Sequence, residues 1–295
     1  MAVTLSIREK PMISYAEAMA LNIPEREFTY DRKAAQLYAL GVGVGLDAAD
    51  GSALRFLYEQ SMQALPGLVT VVAWEDTWLE RIALDLTKVV HGEQRITLHT
   101  PLPVAARLRS RLRLRDIFDK GPGKGAIVLA ETELYDAENG TLLATLLSSV
   151  FARGDGGFGG EPGPVPPMRA VPERAADAAL FSPTAPNQAA LYRLSGDYNP
   201  LHIDPSFAAR AGFPKPILHG LCVFGAANYA LIRLAADGDA ARLEHFEARF
   251  SAPFYPGETL QTEIWRQGEG DISFRCLSAE RQVVVLDRGS AKLRR

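Results

Sequence analysis

The segment Leu194-Ser-Gly-Asp-Tyr-Asn-Pro-Leu-His-Ile-Asp-Pro brings a carboxylate (Asp197), an amide (Asn199) and an imidazole (His202) within a few positions of one another. Asn-Pro forces a turn between them, and a turn can aim all three at one point. A carboxylate and an imidazole that converge on one water can take a proton from it and return one to a substrate. That is general acid and base work needing neither metal nor covalent intermediate, and it suits the addition or loss of water. On the residues alone a structural reading stays open, with Asp197 bonding its own backbone two positions on and His202 a satisfied, half-buried histidine. Asp204-Pro205 reads as structure: an N-cap and a first helical residue opening a short helix through Arg210.

His219-Gly220 follows. A glycine at the start of a buried helix lets backbone approach a ligand, and its N–H points along the positive end of the helix dipole, suited to a developing oxyanion. An enolate forming on a thioester carbonyl would want such a donor. Close helix packing is the alternative for Gly220, and His219 is read as packing. Gly41-Val-Gly-Val-Gly-Leu lacks a dinucleotide-binding order and Gly121-Pro-Gly-Lys-Gly lacks Walker spacing, so both are read as turns. His91, His99 and His245 have no ligand spacing and there is no Gly-x-Ser-x-Gly elbow; no metal and no nucleophilic serine are expected.

These residues need a frame. Gly154 to Pro167 is too rich in glycine and proline for a helix or strand interior and divides the chain. Ahead of it Gln94–Leu98, Ala105–Phe118, Ala126–Tyr135 and Thr141–Ala152 read as strands of a meander; behind it Phe246–Ser251, Thr259–Gln267, Ile272–Ala279 and Gln282–Asp287 repeat the arrangement. Thr97-Leu-His-Thr-Pro-Leu-Pro and Arg249-Phe-Ser-Ala-Pro-Phe-Tyr-Pro hold matching places, which marks an internal duplication. Gly220 to Ala236 reads as a long helix, apolar on most faces and so buried in a sheet. Its counterpart, Ala53 to Gln63, is shorter and broken by Pro66-Gly67.

The chain of 295 residues is long enough for two domains or one large one, and 47% hydrophobic with 23% charged residues is ordinary for a globular protein. Lys and Arg number 32 against 35 Asp and Glu, so no basic excess exists for a phosphate backbone and nucleic-acid binding is not expected. Cys222 and Cys276 make no Cys-x-x-Cys pair, which excludes a disulfide framework and a thiolate zinc site. Ile217 to Ile232, the most apolar long stretch, is interrupted by His219, Gly220, Gly225 and Asn228 and falls short of the roughly 20 residues of a membrane span. Met1 to Lys10 has no apolar core and Leu293-Arg294-Arg295 is no peroxisomal address, so a cytoplasmic protein is expected.

Tyr192-Arg-Leu-Ser-Gly-Asp-Tyr-Asn-Pro-Leu-His-Ile-Asp-Pro with Lys215-Pro-Ile-Leu-His-Gly-Leu-Cys resembles the hydratase 2 motif of the MaoC-like (R)-specific enoyl-CoA hydratases. The resemblance extends through Tyr38-Ala-Leu-Gly-Val-Gly, His91-Gly-Glu-Gln, Asp119-Lys-Gly, Gly156-Gly-Phe-Gly-Gly, Asn187-Gln-Ala-Ala-Leu-Tyr and Ala248-Arg-Phe. Within that family the chain is similar to the hydratase domain of peroxisomal multifunctional enzyme type 2. The resemblance implies an α+β double hot-dog fold, two tandem repeats of antiparallel sheet around a central helix with the first helix reduced to admit an acyl chain. It places an N-terminal repeat at 1–153, a linker at 154–175 and a C-terminal repeat with the motif at 176–295. It implies reversible hydration of trans-2-enoyl-CoA to (3R)-3-hydroxyacyl-CoA, without a cofactor, in a homodimer. Asp197 and His202 would be the catalytic pair, Asn199 would orient the site and the Gly220 amide would hold the thioester oxygen. His91, Gly92, Lys120, Tyr198, Pro200, Leu201 and Phe250 would line the acyl-CoA site, with Lys120 near a CoA phosphate. A thioesterase, an acyl-carrier-protein dehydratase and a non-catalytic acyl-CoA binding protein are the alternatives.

Overall fold

The computed structural model describes residues 12–47 and 49–294, so the reading of Met1 to Lys10 lies outside the described residues. Among the described residues ten strands form: β1 (Arg26–Tyr30), β2 (Val89–Leu98), β3 (Ala106–Asp119), β4 (Ala126–Asp136), β5 (Leu142–Ala152), β6 (Ala178–Pro183), β7 (Leu243–Phe250), β8 (Thr259–Arg266), β9 (Asp271–Ser278) and β10 (Val283–Leu293). The helices are α1 (Tyr15–Met19), α2 (Arg32–Gly41), α3 (Leu54–Leu57), α4 (Thr77–Arg81), α5 (Gln188–Tyr192), α6 (Pro205–Arg210) and α7 (Gly220–Ala235).

All ten strands join one antiparallel sheet in the order β1-β3-β4-β5-β2-β7-β10-β9-β8-β6. Read inward from either edge, each half contributes its first, third, fourth, fifth and second strand. The duplication is therefore a repeat of topology, and the two copies meet where β2 pairs with β7 from Glu93↔Arg249 to Thr97↔His245. At that seam the buried Glu93 carboxylate accepts from Arg249 Nε (3.0 Å) and Nη2 (2.6 Å).

Alternation sets the faces. On β3 the arginines 107, 109, 111, 113 and 115 point outward, where Glu25, Glu27, Glu131 and Glu133 pair with them, while Leu108, Leu112 and Leu114 are buried on the other face. In the second half α7 fills that inner face, and every residue from Leu221 to Ile232 is buried. Phe224 packs edge-on to Phe246 at 4.7 Å, and Phe246 stacks on Phe274 at 4.6 Å. Among the described residues the first half has no equal of it. Between Gly51 and Ser61 the chain makes only α3 and a helical turn on either side, and the buried turn Pro66–Thr70 lies against α7. Two core clusters share the work: one joins Tyr38, Leu68, Ile96 and Leu134 to α7, and the other packs Ala18 of α1, Trp78 of α4 and Ile82 just past it over Leu112, Val128 and Val150.

The strands lie where alternation placed them, with three corrections of extent: β2 begins at Val89, β7 begins at Leu243, and β10 runs to Leu293, past register shifts that interrupt its alternation. The edge strands β1 and β6 were not read from sequence; each is short, and β6 ends on Pro183. The glycine- and proline-rich segment is irregular and crosses the outer face of the sheet. Asp119 pins it, its carboxylate accepting from the N–H groups of Gly121 (2.8 Å), Gly157 (2.7 Å) and Gly159 (2.8 Å). Val165 and Pro166 lie against Leu129 and Leu147, and Arg288 Nη1 donates to Met168 O at 3.1 Å. Gly121, Gly123 and Gly125, and Gly43 and Gly45, all have positive φ, so the two glycine clusters are turns as expected.

Candidate active site

The motif folds as a chain of local bonds. After α5 comes a helical turn, Arg193–Ser195, and Gly196 then takes a φ of 133°, a region that a side chain would resist. The reversal puts Asp197 at the head of a second turn, where its Oδ1 accepts from Asn199 N at 3.1 Å. Asn199 caps the helical turn Pro200–His202 by accepting from Leu201 N at 3.0 Å. Its carboxamide oxygen thus bonds the backbone, as one oxygen of Asp197 does, while ligand atoms of Asp197 and His202 lie within 4.8 Å of each other. Asp204 and Pro205 open α6 as expected.

His202 is buried, and its Nδ1 lies 2.9 Å from Ile217 O. A carbonyl can only accept, so Nδ1 carries the proton and Nε2 is the bare, basic nitrogen. Burial lowers the imidazole below its usual 6.5, although Asp197 pulls the other way. His202 is therefore neutral at pH 7.

Sequence reasoning took His219 for packing alone. Its ring stacks on His202 with centroids 3.8 Å apart and 28° between planes, and its Nε2 donates to the Asp197 carbonyl at 3.1 Å. Burial, with the His202 ring beside it, pushes its pKa down to about 2. Donor atoms of Asp197, His202 and His219 all lie within 4.8 Å of one another. His202 Nδ1 and His219 Nε2 are each spent on a backbone carbonyl, and the two rings lie face to face. Among the described residues, no signal short of contact itself pairs His219 with a turn 22 positions away.

Gly220 opens α7 directly after His219. The first N–H groups of a helix have no partner within it, and among the described residues no hydrogen bond is made by that of Gly220. Phe250, at the end of β7, covers it so closely that a Cβ on Gly220 would meet the phenyl ring at 3.2 Å. His91, near the start of β2, packs its ring on Phe250 at 4.8 Å, and burial lowers its pKa to about 4. Gly92 lies against Ser149, where a Cβ would meet the carbonyl oxygen at 3.3 Å. The structure thus brings His91, Phe250 and Gly220 into contact, with His219 joining them to Asp197 and His202. Pro200 and Leu201 are half-buried in the turn, and Tyr198 is exposed with its ring under Arg193. Lys120 stands apart: its Nζ donates to Pro162 O, and its place past the end of β3 is three strands from β2, roughly 14 Å at 4.8 Å per strand.

The arrangement pairs a carboxylate with a neutral imidazole base beside a helix N-terminus, enough to move a proton and stabilise a developing oxyanion. Residues 28–154 match the model of the MFE-2 hydratase 2 N-terminal domain, and residues 168–287 that of the MaoC like domain. The chain is 41% identical over 275 residues to an enoyl-CoA hydratase of Mycobacterium tuberculosis, covering 91% of this chain and 95% of that protein. It is 39% identical over 268 residues to the peroxisomal enoyl-CoA hydratase 2 of Arabidopsis thaliana, covering 85% and 86%. A crystal structure of a MaoC-like dehydratase from Phytophthora capsici aligns with a TM-score of 0.85 at 32% identity, over 96% of this chain and 98% of that one. A double hotdog protein of Mycobacterium tuberculosis aligns at 0.55 and 18% identity, over 95% and 98%, a likeness of fold.

Proposed function

Because the chain belongs to the MaoC-like hydratase 2 family, with its double hot-dog fold, we infer that it is a hydro-lyase interconverting trans-2-enoyl-CoA and (3R)-3-hydroxyacyl-CoA. The observation that carries the mechanism is the pairing of Asp197 with a His202 whose tautomer is fixed by Ile217 O. In hydration the pair removes one proton from a water as its oxygen bonds to C3, and a proton is delivered to C2, so water adds across the double bond with nothing left over. Charge that gathers on the thioester oxygen meets the Gly220 N–H and the positive end of α7. Phe250, His91 and Gly92 flank that oxygen, Tyr198, Pro200 and Leu201 border the entrance, and Lys120 reaches toward the CoA phosphates. None of these steps calls for a metal or a cofactor.

Three further readings belong with it. The chain divides into repeats at 1–153 and 176–295 joined by 154–175, works in the cytoplasm and pairs as a homodimer. Among the described residues no helix is long and apolar enough to cross a membrane. A light-scattering mass equal to one chain would remove the dimer.

The deciding experiment supplies purified protein with trans-2-enoyl-CoA of short and long chain, follows loss of the conjugated absorbance and resolves the product by chiral analysis. A (3R)-3-hydroxyacyl-CoA product is expected. Release of free CoA would assign a thioesterase, and folded protein that binds acyl-CoA without turnover would assign a binding protein.

A further inference from the structure

We propose that His219 is a positioning residue for this reaction, one half of a reciprocal clasp that holds the Asp197 turn against the start of α7. The proposal rests on the hydratase reading for its kinetic consequence, though not for its structural one.

Two segments meet at the site: the turn from Gly196 to His202, and the strand-like approach to α7 that ends in Ile217, Leu218 and His219. Each sends a histidine to the other. His202, from the turn, donates through Nδ1 to Ile217 O at 2.9 Å; His219, from the approach, donates through Nε2 to Asp197 O at 3.1 Å. The rings stack between the two bonds at 3.8 Å. Local bonds shape each segment, the single helical turn Pro200–His202 among them, but no strand pairing joins the two, so the bonds between them fall to side chains. His219 is also the N-cap residue of α7 with φ −56° and ψ 134°, and its side chain makes no capping bond to the helix because it is turned toward Asp197. Displacing it would shift Asp197, the His202 ring and the Gly220 N–H relative to one another, and errors of about 1 Å in such groups cost on the order of 100-fold in rate.

The neutral state of His219 fits the task. Its burial leaves it uncharged, so it adds no second positive charge beside His202 when that ring takes a proton. A cationic donor in its place would oppose that step.

Three variants test the clasp. His219→Phe keeps a flat ring on His202 and removes the donor; His219→Gln keeps an N–H at about the reach of Nε2 and removes the ring; His219→Ala removes both. His219→Phe should lower kcat on trans-2-enoyl-CoA roughly 10- to 100-fold with KM changed less than about threefold, and His219→Gln should recover most of the loss. Amide hydrogen exchange across residues 196–202 should quicken in the Phe and Ala variants and stay slow in the Gln variant, whatever the turnover. Wild-type kcat and wild-type exchange in His219→Phe would overturn the proposal, leaving His219 as packing. If the Phe variant does not fold, a Gln variant as impaired as Ala in kcat and exchange overturns it equally. Wild-type protein inert toward every enoyl thioester would sink the hydratase reading instead, and the exchange measurements would still decide the clasp.

Discussion

A histidine has two ring nitrogens, and in the neutral ring one donates while the other is left as an acceptor. His202 spends Nδ1 on Ile217 O and keeps Nε2 bare, and burial holds its pKa below 6.5. If that bare nitrogen is the base, kcat/KM stays level as pH drops to about 6.5 and declines only on passing the lower native value. A decline centred at 6.5 or above would count against it. Stability carries the same sign. His91 (about 4) and His219 (about 2) are depressed in the native state, and burial lowers His202 too, whereas the unfolded chain protonates each near 6.5. Below about pH 6.5 the unfolded state therefore binds protons that the native state refuses, and the thermal midpoint should fall steadily toward pH 4. A midpoint unchanged between pH 7 and 5 would show that these rings are not buried in solution. Asp197→Asn keeps the side chain's shape and its oxygen for Asn199 N while removing the charge. It should lower kcat at least ~100-fold, with stability within about 1 kcal/mol of wild type, measured by turnover and melting side by side. Asp197, Asn199 and His202 were legible in sequence because one turn contains them. His219 was not, because its partner is a backbone carbonyl far along the chain, and a carbonyl has no residue type to read.

At the scale of elements, α7 shows how two glycines on one helix answer to different masters. A methyl on Gly220 would approach Phe250 at 3.2 Å, close enough to move a ring by a few tenths of an ångström and to crowd the free N–H, yet its φ is not strained. Gly220→Ala should cost roughly tenfold or more in kcat/KM. Its melting temperature should hold or rise, since alanine is favoured over glycine in a helix by about 0.5–1 kcal/mol. At Gly225 the same methyl would meet the Tyr38 hydroxyl at 2.5 Å and Val42 Cγ1 at 2.6 Å, inside packed core. Gly225→Ala should therefore destabilise by about 1–3 kcal/mol despite its better propensity. Urea melts of both variants separate the cases, and equal stability losses would contradict the distinction. The long helix and eight strands were legible from apolar run and alternation. The edge strands escaped because the charged start of β1, Arg26 and Glu27, and the Ser-Pro end of β6 read as loop, and α2 escaped because its strongest signal, the Asp31 cap, reads equally as a turn.

The whole molecule is a duplication whose copies have diverged in their interiors but still share one sheet and one core. The motif and α7 belong to the second half, yet the surface against Gly220 is completed across the seam, with His91 from β2 packed on Phe250 from β7. The core is shared likewise: Tyr38 and Ile96 cluster with Phe224 and Phe246, Gln188 donates to Leu40 O at 3.1 Å, and Cys222 Sγ to Gly41 O at 3.3 Å. A chain carrying only residues 168–295 would expose the apolar face of α7 that rests on the turn Pro66–Thr70, and would turn β7 into an open sheet edge. Such a fragment should aggregate or stay loosely packed and show no hydratase turnover, despite holding Asp197, His202, His219 and Gly220. Co-expression with residues 1–167 should restore both a dispersed NMR spectrum and activity, because the β2–β7 ladder and the shared core can re-form between separate chains. Full turnover by the second half alone would mean that the seam contributes neither fold nor site, and that His91 has no part in holding the substrate.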